Sequence, residues 1–76
     1  MKEFIEYVTR QLVNNPEQLI LEEETIGDTL IFKLKVTQSD IDKIIGRKGR
    51  TIVSLRTIIA AVGKKTGKKV KLEVVI

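Results

Sequence analysis

"IDKIIGRKGRTIVSL", residues 41–55, breaks an apolar helical pattern with a flexible, doubly cationic tetrapeptide and resumes the pattern at once. Ile41, Ile44 and Ile45 recur at helical spacing before the break, and Ile52, Leu55, Ile59 and Val62 recur after it. Between them stand Gly46, Arg47, Lys48 and Gly49. A glycine in a helix interior costs about 1 kcal/mol, so the stretch reads as two helices joined by a loop. The second helix then begins at the loop, with its unpaired N–H groups and positive dipole end turned toward it. Glycines let another backbone approach without a Cβ in the way. With two cations added, the loop has the parts of a phosphate clamp. A tight helix–helix turn with incidental charge would use the same residues, so the flanks must decide.

Just upstream, Ser39 and Asp42 have the spacing of a capping box, and the Asp40/Asp42 pair suits a helix start by favouring the dipole and capping the backbone. Before them, "TLIFKLKV" (29–36) alternates, with Leu30, Phe32, Leu34 and Val36 on one face and Lys33 and Lys35 on the other. Turn chemistry around Gly27 joins it to "LILEEET" (19–25) as a hairpin. At the N-terminus, "KEFIEYVTRQLV" (2–13) predicts a helix with Phe4, Ile5, Val8 and Leu12 as its apolar stripe, stopped by the residues before Pro16. Downstream, Gly63 is placed to cap the long helix, and "KKVKLEVVI" (68–76) points Val70, Leu72, Val74 and Ile76 inward. The order helix, strand, strand, helix, helix, strand predicts one α+β domain over 1–76. Three helices cover one face of a three-stranded mixed sheet.

Composition narrows the chemistry. A chain of 76 residues is one small domain, burying only about 60% of its unfolded surface. It has no cysteine and no histidine, so disulfides, thiolates and the commonest general base are all absent. The two serines, Ser39 and Ser54, have no base in any motif. "GKKTGKK" (63–69) fails as a phosphate loop of the Walker type, with three residues between its glycines instead of four. No enzyme, cofactor or metal site is expected. No apolar run approaches the ~20 residues of a membrane helix, and "MKEFIEYV" lacks a signal-peptide core; the expected location is cytoplasmic.

Charge is unevenly placed. Residues 1–42 hold four Lys/Arg against nine Asp/Glu, whereas 43–76 hold ten against one. One part of the surface is built for an anion, and nucleic acid is the leading specific choice. Lys64, Lys65, Lys68, Lys69 and Lys71 lie within eight residues and read mainly as diffuse steering charge.

The whole pattern "IIGRKGRTI" (44–52), set after a strand in this element order, resembles the KH domain: an apolar pair, G-x-x-G, then an apolar residue three positions on. The leading helix and hairpin are similar to the type II arrangement. The resemblance spans nearly the whole chain and is strongest to the small bacterial single-KH proteins of the KhpA/YlqC family. It implies binding of single-stranded RNA, with the loop holding about four nucleotides of backbone. Gly46, Arg47, Lys48 and Gly49 would face phosphates. Ile45 and Ile52 occupy groove-lining or core positions, and Arg50 and Thr51 would add contacts beside an apolar groove of two helices and a sheet edge. Family members also self-associate and pair with a larger Jag-type (KhpB-like) KH protein. An RNA-chaperone or post-transcriptional role, and links to ribosome assembly, cell shape and cell-wall organisation, are implied by resemblance alone.

The long helix carries more apolar residues than one buried face needs. Val53, Ile58, Ala60 and Ala61 flank the core stripe. Either the domain's own sheet and first helix cover both flanks, or Val53, Ile58 and Ala61 form a dimer interface. The alternative function is therefore a protein-interaction subunit completing a KH heterodimer. A DNA-binding helix-turn-helix ranks third, because "IVSLRTIIAAV" has too few polar residues to read bases.

Overall fold

The computed structural model describes all 76 residues: α1 (Lys2–Leu12), β1 (Ile20–Ile26), β2 (Thr29–Lys35), α2 (Ile41–Ile45), α3 (Arg50–Lys65) and β3 (Lys69–Val75). This is the expected order, and the strand limits shift by a residue or so. β1 and β2 form the hairpin, turning at Gly27 with φ +61°, the left-handed backbone that a two-residue hairpin loop favours. β2 is central, antiparallel to β1 and parallel to β3, with Phe32 opposite Glu23 on one side and Leu72 on the other. Parallel neighbours need a long crossover. Here α2 and α3 supply it, so the tetrapeptide lies inside the crossover connection. No helix is long and apolar enough to cross a membrane.

The core lies between the sheet and the helices. Phe32, Leu34 and Leu72 meet Ile44, Ile52, Leu55 and Ile59 from the crossover helices, and Ile5 from α1. The sheet's other face is open and charged. There Lys35 pairs with Glu22 at 2.9 Å and Lys33 with Glu24 at 3.3 Å. These are exposed pairs that add little stability.

Four local expectations are corrected. In α1 the buried residues are Ile5 and Thr9; Val8 and Leu12 are half-buried and Phe4 is exposed. Thr9 is accommodated because its hydroxyl donates to the Ile5 carbonyl at 2.7 Å, a bond within the helix that its composition does not announce. Gly63 does not cap α3, which runs on to Lys65. It is buried, and it must be glycine because a Cβ there would sit 2.6 Å from Val70 Cγ2 and 2.9 Å from the Lys68 carbonyl. Gly67, with φ +74°, takes the turn instead. Val62, expected on the core stripe of α3, is exposed, as is Ile76, which lies beyond β3, although Val70, Leu72 and Val74 do face the core.

The fourth correction concerns the start of α2. No side chain caps this helix, and Ser39 Oγ instead lies 3.2 Å from the Thr37 hydroxyl. Asp40 turns the other way and is fully buried. Its Oδ1 accepts the Asn14 amide at 3.1 Å, and its Oδ2 accepts the Asn15 amide at 2.9 Å and Asn15 Nδ2 at 3.1 Å. The carboxylate thus ties the chain leaving α1 to the entrance of α2. Burial opposes its ionisation, but the bonds from Asn14, Asn15 and Thr37 outweigh burial and hold its carboxyl below its ordinary value of 3.8.

Asp40→Asn keeps the size but turns an amide donor toward other donors. Thermal melts are expected to drop by about 10 °C. Because the folded state lowers this pKa, the unfolded chain binds the extra proton, and Asp40's contribution rises with pH. It is fully present above the ordinary value and lost as pH falls through the folded one. Melting curves from pH 5 to pH 2 should therefore converge for the native chain and the Asp40→Asn variant at the acid end.

Candidate nucleic-acid interface

α2 closes when the Gly46 amide donates to the Asp42 carbonyl at 2.8 Å, and the Gly49 amide then donates to the Gly46 carbonyl at 3.1 Å. Residues 47–49 thus make a single tight turn between the helices. Gly46 has φ 79° and ψ 174°, a region essentially restricted to glycine. A Cβ on Gly46 would also overlap the Thr51 side chain and lie 2.9 Å from the Thr51 amide nitrogen. Gly49 has φ 75° and ψ 10°, ordinary left-handed backbone with open space around it. The first glycine is dictated by both conformation and packing, the second by conformation alone.

Lys48 shares the left-handed region, with φ 56° and ψ 26°, and is the only non-glycine residue with positive φ. An L side chain there costs roughly 1–2 kcal/mol. Asparagine visits this region far more readily, yet lysine occupies the position. Lys48→Asn is expected to raise the melting temperature by a few degrees while weakening anion binding, as a residue kept for its charge would do. Calorimetry beside a binding titration checks both halves.

Electrostatically the loop is open. Arg47, Lys48 and Arg50 are exposed and none is in an ion pair. Gly49 occupies the N-cap position of α3 and no side chain caps that end. Cations and the positive end of a 16-residue helix therefore face the same solvent.

Two grooves flank α3. One, of about 260 Å³, lies between α3 and the open edge of β3, lined by Arg56, Ile59, Val70, Lys71, Leu72 and Glu73. Arg56 Nε spans it to donate to the Leu72 carbonyl at 3.2 Å, so that edge carbonyl faces the groove. The other, of about 290 Å³, lies between α1 and α3, with Val8, Leu12, Leu55 and Ile58 as its apolar part and Arg50, Thr51 and Ser54 as its polar part.

The sequence-predicted residues separate accordingly. Gly46, Arg47, Lys48 and Gly49 form the loop, and Arg50 and Thr51 carry it onto the α1 side. Ile52 is buried core, and Ile45 is half-buried against that core and lines neither groove. Arg56 and Leu72 were not singled out from sequence. The available signal was weak: Arg56 falls between the core positions Leu55 and Ile59, at the edge of the buried stripe. On the outer side of α3, Val53 is 60% and Ile58 46% exposed, and Ala60 and Ala61 are exposed too. The domain's own sheet and first helix leave this flank uncovered.

The chain matches the family described as KhpA/KhpB, KH domain, over residues 2–74. It is 43% identical over 74 residues to the RNA-binding protein KhpA of Chlamydia trachomatis, covering 97% of this chain and 95% of that one. Against the RNA-binding protein KhpA of Listeria monocytogenes, identity is 36% over 75 residues, 99% of each chain. The protein of the same name from Clostridium perfringens gives 36% over 75 residues, 99% of this chain and all of that one. No solved structure matches.

Proposed function

The chain belongs to the KhpA/KhpB family of KH domains, and from that premise we propose that it binds short single-stranded RNA, with residues 46–49 clamping the phosphodiester backbone. The family is a non-catalytic, RNA-binding one. The observation that carries the reading is the loop: two glycines and a strained lysine present unpaired cations at the uncapped N-terminus of α3. Arg47 and Lys48 pair with phosphates, while the glycines let the backbone approach. Bases enter the groove between α3 and β3 and pack against Ile59, Val70 and Leu72, with Arg56 and Lys71 supplying donors in its lining.

No aromatic side chain lines this groove. Stacking, which is worth about 1–3 kcal/mol per base, is therefore missing. Binding is weak, salt-sensitive and loosely specific, suiting a cytoplasmic RNA chaperone or post-transcriptional regulator. Gly49→Asp tests the clamp with little disturbance to the fold, because aspartate tolerates the left-handed region and a Cβ at 49 meets nothing. Affinity for a short RNA should fall at least tenfold while the melting temperature moves by only a few degrees. Unchanged affinity would remove the loop from the interface.

A second reading rests on the uncovered flank of α3. Val53, Ile58 and Ala61 form a self-association surface for a homodimer that exchanges with a Jag-type, KhpB-like KH partner. Two linked weak sites gain avidity that one lacks. Ile58→Asp should shift light scattering from dimer to monomer. A native chain that is monomeric at every concentration would contradict the homodimer.

A further inference from the structure

We propose that the lysine turn after α3 is a second phosphate-binding site, receiving the RNA strand as it leaves the groove, and that the footprint exceeds the four nucleotides of the clamp. The proposal rests on the RNA-binding reading above and extends it.

Three features of the fold place this site. First, α3 is 16 residues long, about 24 Å, with the clamp at its start and Lys64 and Lys65 in its last turn. The chain then reverses through Gly67 into β3, so Lys68, Lys69 and Lys71 lie at the same end. Second, the groove between α3 and β3 lies beside the middle of α3, at Arg56 and Ile59, between these two ends, and Lys71 belongs to its lining. Third, the groove is closed where Gly63 packs on Val70 and on the Lys68 carbonyl, with no room for even a methyl group. A strand that fills the groove from the clamp must rise out of it here, over the turn.

The turn is built to hold a shape. Thr66 and Lys68 both donate their amides to the Gly63 carbonyl, at 3.1 and 3.0 Å, and Gly67 donates to the Lys64 carbonyl at 3.2 Å. Thr66 Oγ1 adds a bond to the Gly63 carbonyl at 2.9 Å, and the Lys69 amide bonds the Asp28 carbonyl at 3.2 Å. Five lysines project from this region, and none is in an ion pair. Lys64 and Lys65, in the last turn, lie at the negative end of the α3 dipole, which favours cations and would hold no anion without them. A fixed cationic turn at the mouth of a groove can take phosphates in register. Diffuse steering charge has no such register.

The test compares a four-nucleotide oligouridylate with versions lengthened by four abasic nucleotides at the 5′ end or the 3′ end, so that the uridines set the register, titrated by anisotropy at several salt concentrations. Proteins are the native chain, Lys64→Gln/Lys65→Gln/Lys68→Gln, and Arg47→Asp/Lys48→Asp, each checked by circular dichroism. The expected result is that extension at one end alone steepens the native log–log salt slope by about 1.4–2, two to three phosphates on a single strand. The triple-glutamine variant should lose this increment and bind the four-mer within about threefold of native. Equal gains at both ends, or an equal loss for all lengths in the glutamine variant, would mean steering only and overturn the second site. Loop-dependent binding with no gain from either extension would overturn it as well, leaving the clamp intact. Binding of no RNA, or binding indifferent to the loop variant, would overturn the RNA reading and this inference together.

Discussion

Gly46→Ala is expected to cost about 2–5 kcal/mol of folding stability, against about 1 kcal/mol for Gly49→Ala three residues away. Both lie in the same loop and both have positive φ. The difference is in ψ and in the neighbours. At ψ 174° a non-glycine residue has no relaxed conformation, whereas ψ 10° lies in the ordinary left-handed well. A methyl group at 46 also overlaps the Thr51 side chain and presses on the Thr51 amide nitrogen, so Thr51→Ala would not rescue it. A domain of this size holds only about 4–11 kcal/mol in total. Gly46→Ala should therefore melt tens of degrees lower or fail to fold, and Gly49→Ala several degrees lower. Chemical denaturation of the two variants side by side reads the ratio. Equal losses would mean that the backbone of the turn is not as described.

Arg47→Asp/Lys48→Asp is expected to leave the fold intact and reduce RNA affinity well over tenfold at about 100 mM salt. Both side chains are exposed and neither takes part in an ion pair, so no folded-state contact is lost. Aspartate at 48 is also at home in the left-handed backbone that strains lysine. Two phosphate contacts on a single strand account for about 1.4 in the log–log salt slope. The slope should fall by that amount, and the added repulsion should deepen the loss at low salt. Raising the salt would then narrow the gap between variant and native chain. A gap that did not change with salt would point to a packing defect instead of lost charge pairing.

The fold was largely legible because its signals are periodic. Alternation in residues 29–36 and 70–74, and helical spacing on both sides of Gly46, gave the element order and most of the core. The strand pairing that makes β2 central follows from β2 and β3 being parallel, which forces a crossover. Features set by distant partners were less legible. Asp40 looks like a helix-start residue, but its carboxylate is used 25 residues back in sequence, where it holds Asn14 and Asn15. Gly63 resembles a C-cap because glycine is read by conformation, yet it is there to admit Val70. Thr9 replaces Phe4 inside because a hydroxyl bonded within its own helix is easier to bury than its polarity suggests.

The candidate site divides the same way. The turn itself was legible as a glycine-bounded cationic break between two helices, but the tetrapeptide alone does not tell a clamp from a plain turn, and only its flanks favoured the clamp. The groove between α3 and β3 was not legible, because a strand's open edge depends on sheet order, and Arg56 gains meaning only opposite Leu72. The exposed flank of α3 was visible as excess apolar residues, but sequence left open whether the domain covers them itself.

The measurement that bears most directly on the central claim is an amide chemical-shift map of the native chain, titrated with a four-nucleotide single-stranded RNA. The largest shifts are expected at the amides of Gly46–Thr51, followed by Leu72 and its neighbours on β3, with the outer face of the sheet from Glu22 to Lys35 unmoved. Saturable shifts confined to that outer face, or to Val53 and Ile58 with the loop silent, would contradict the assignment of residues 46–49 as the phosphate clamp.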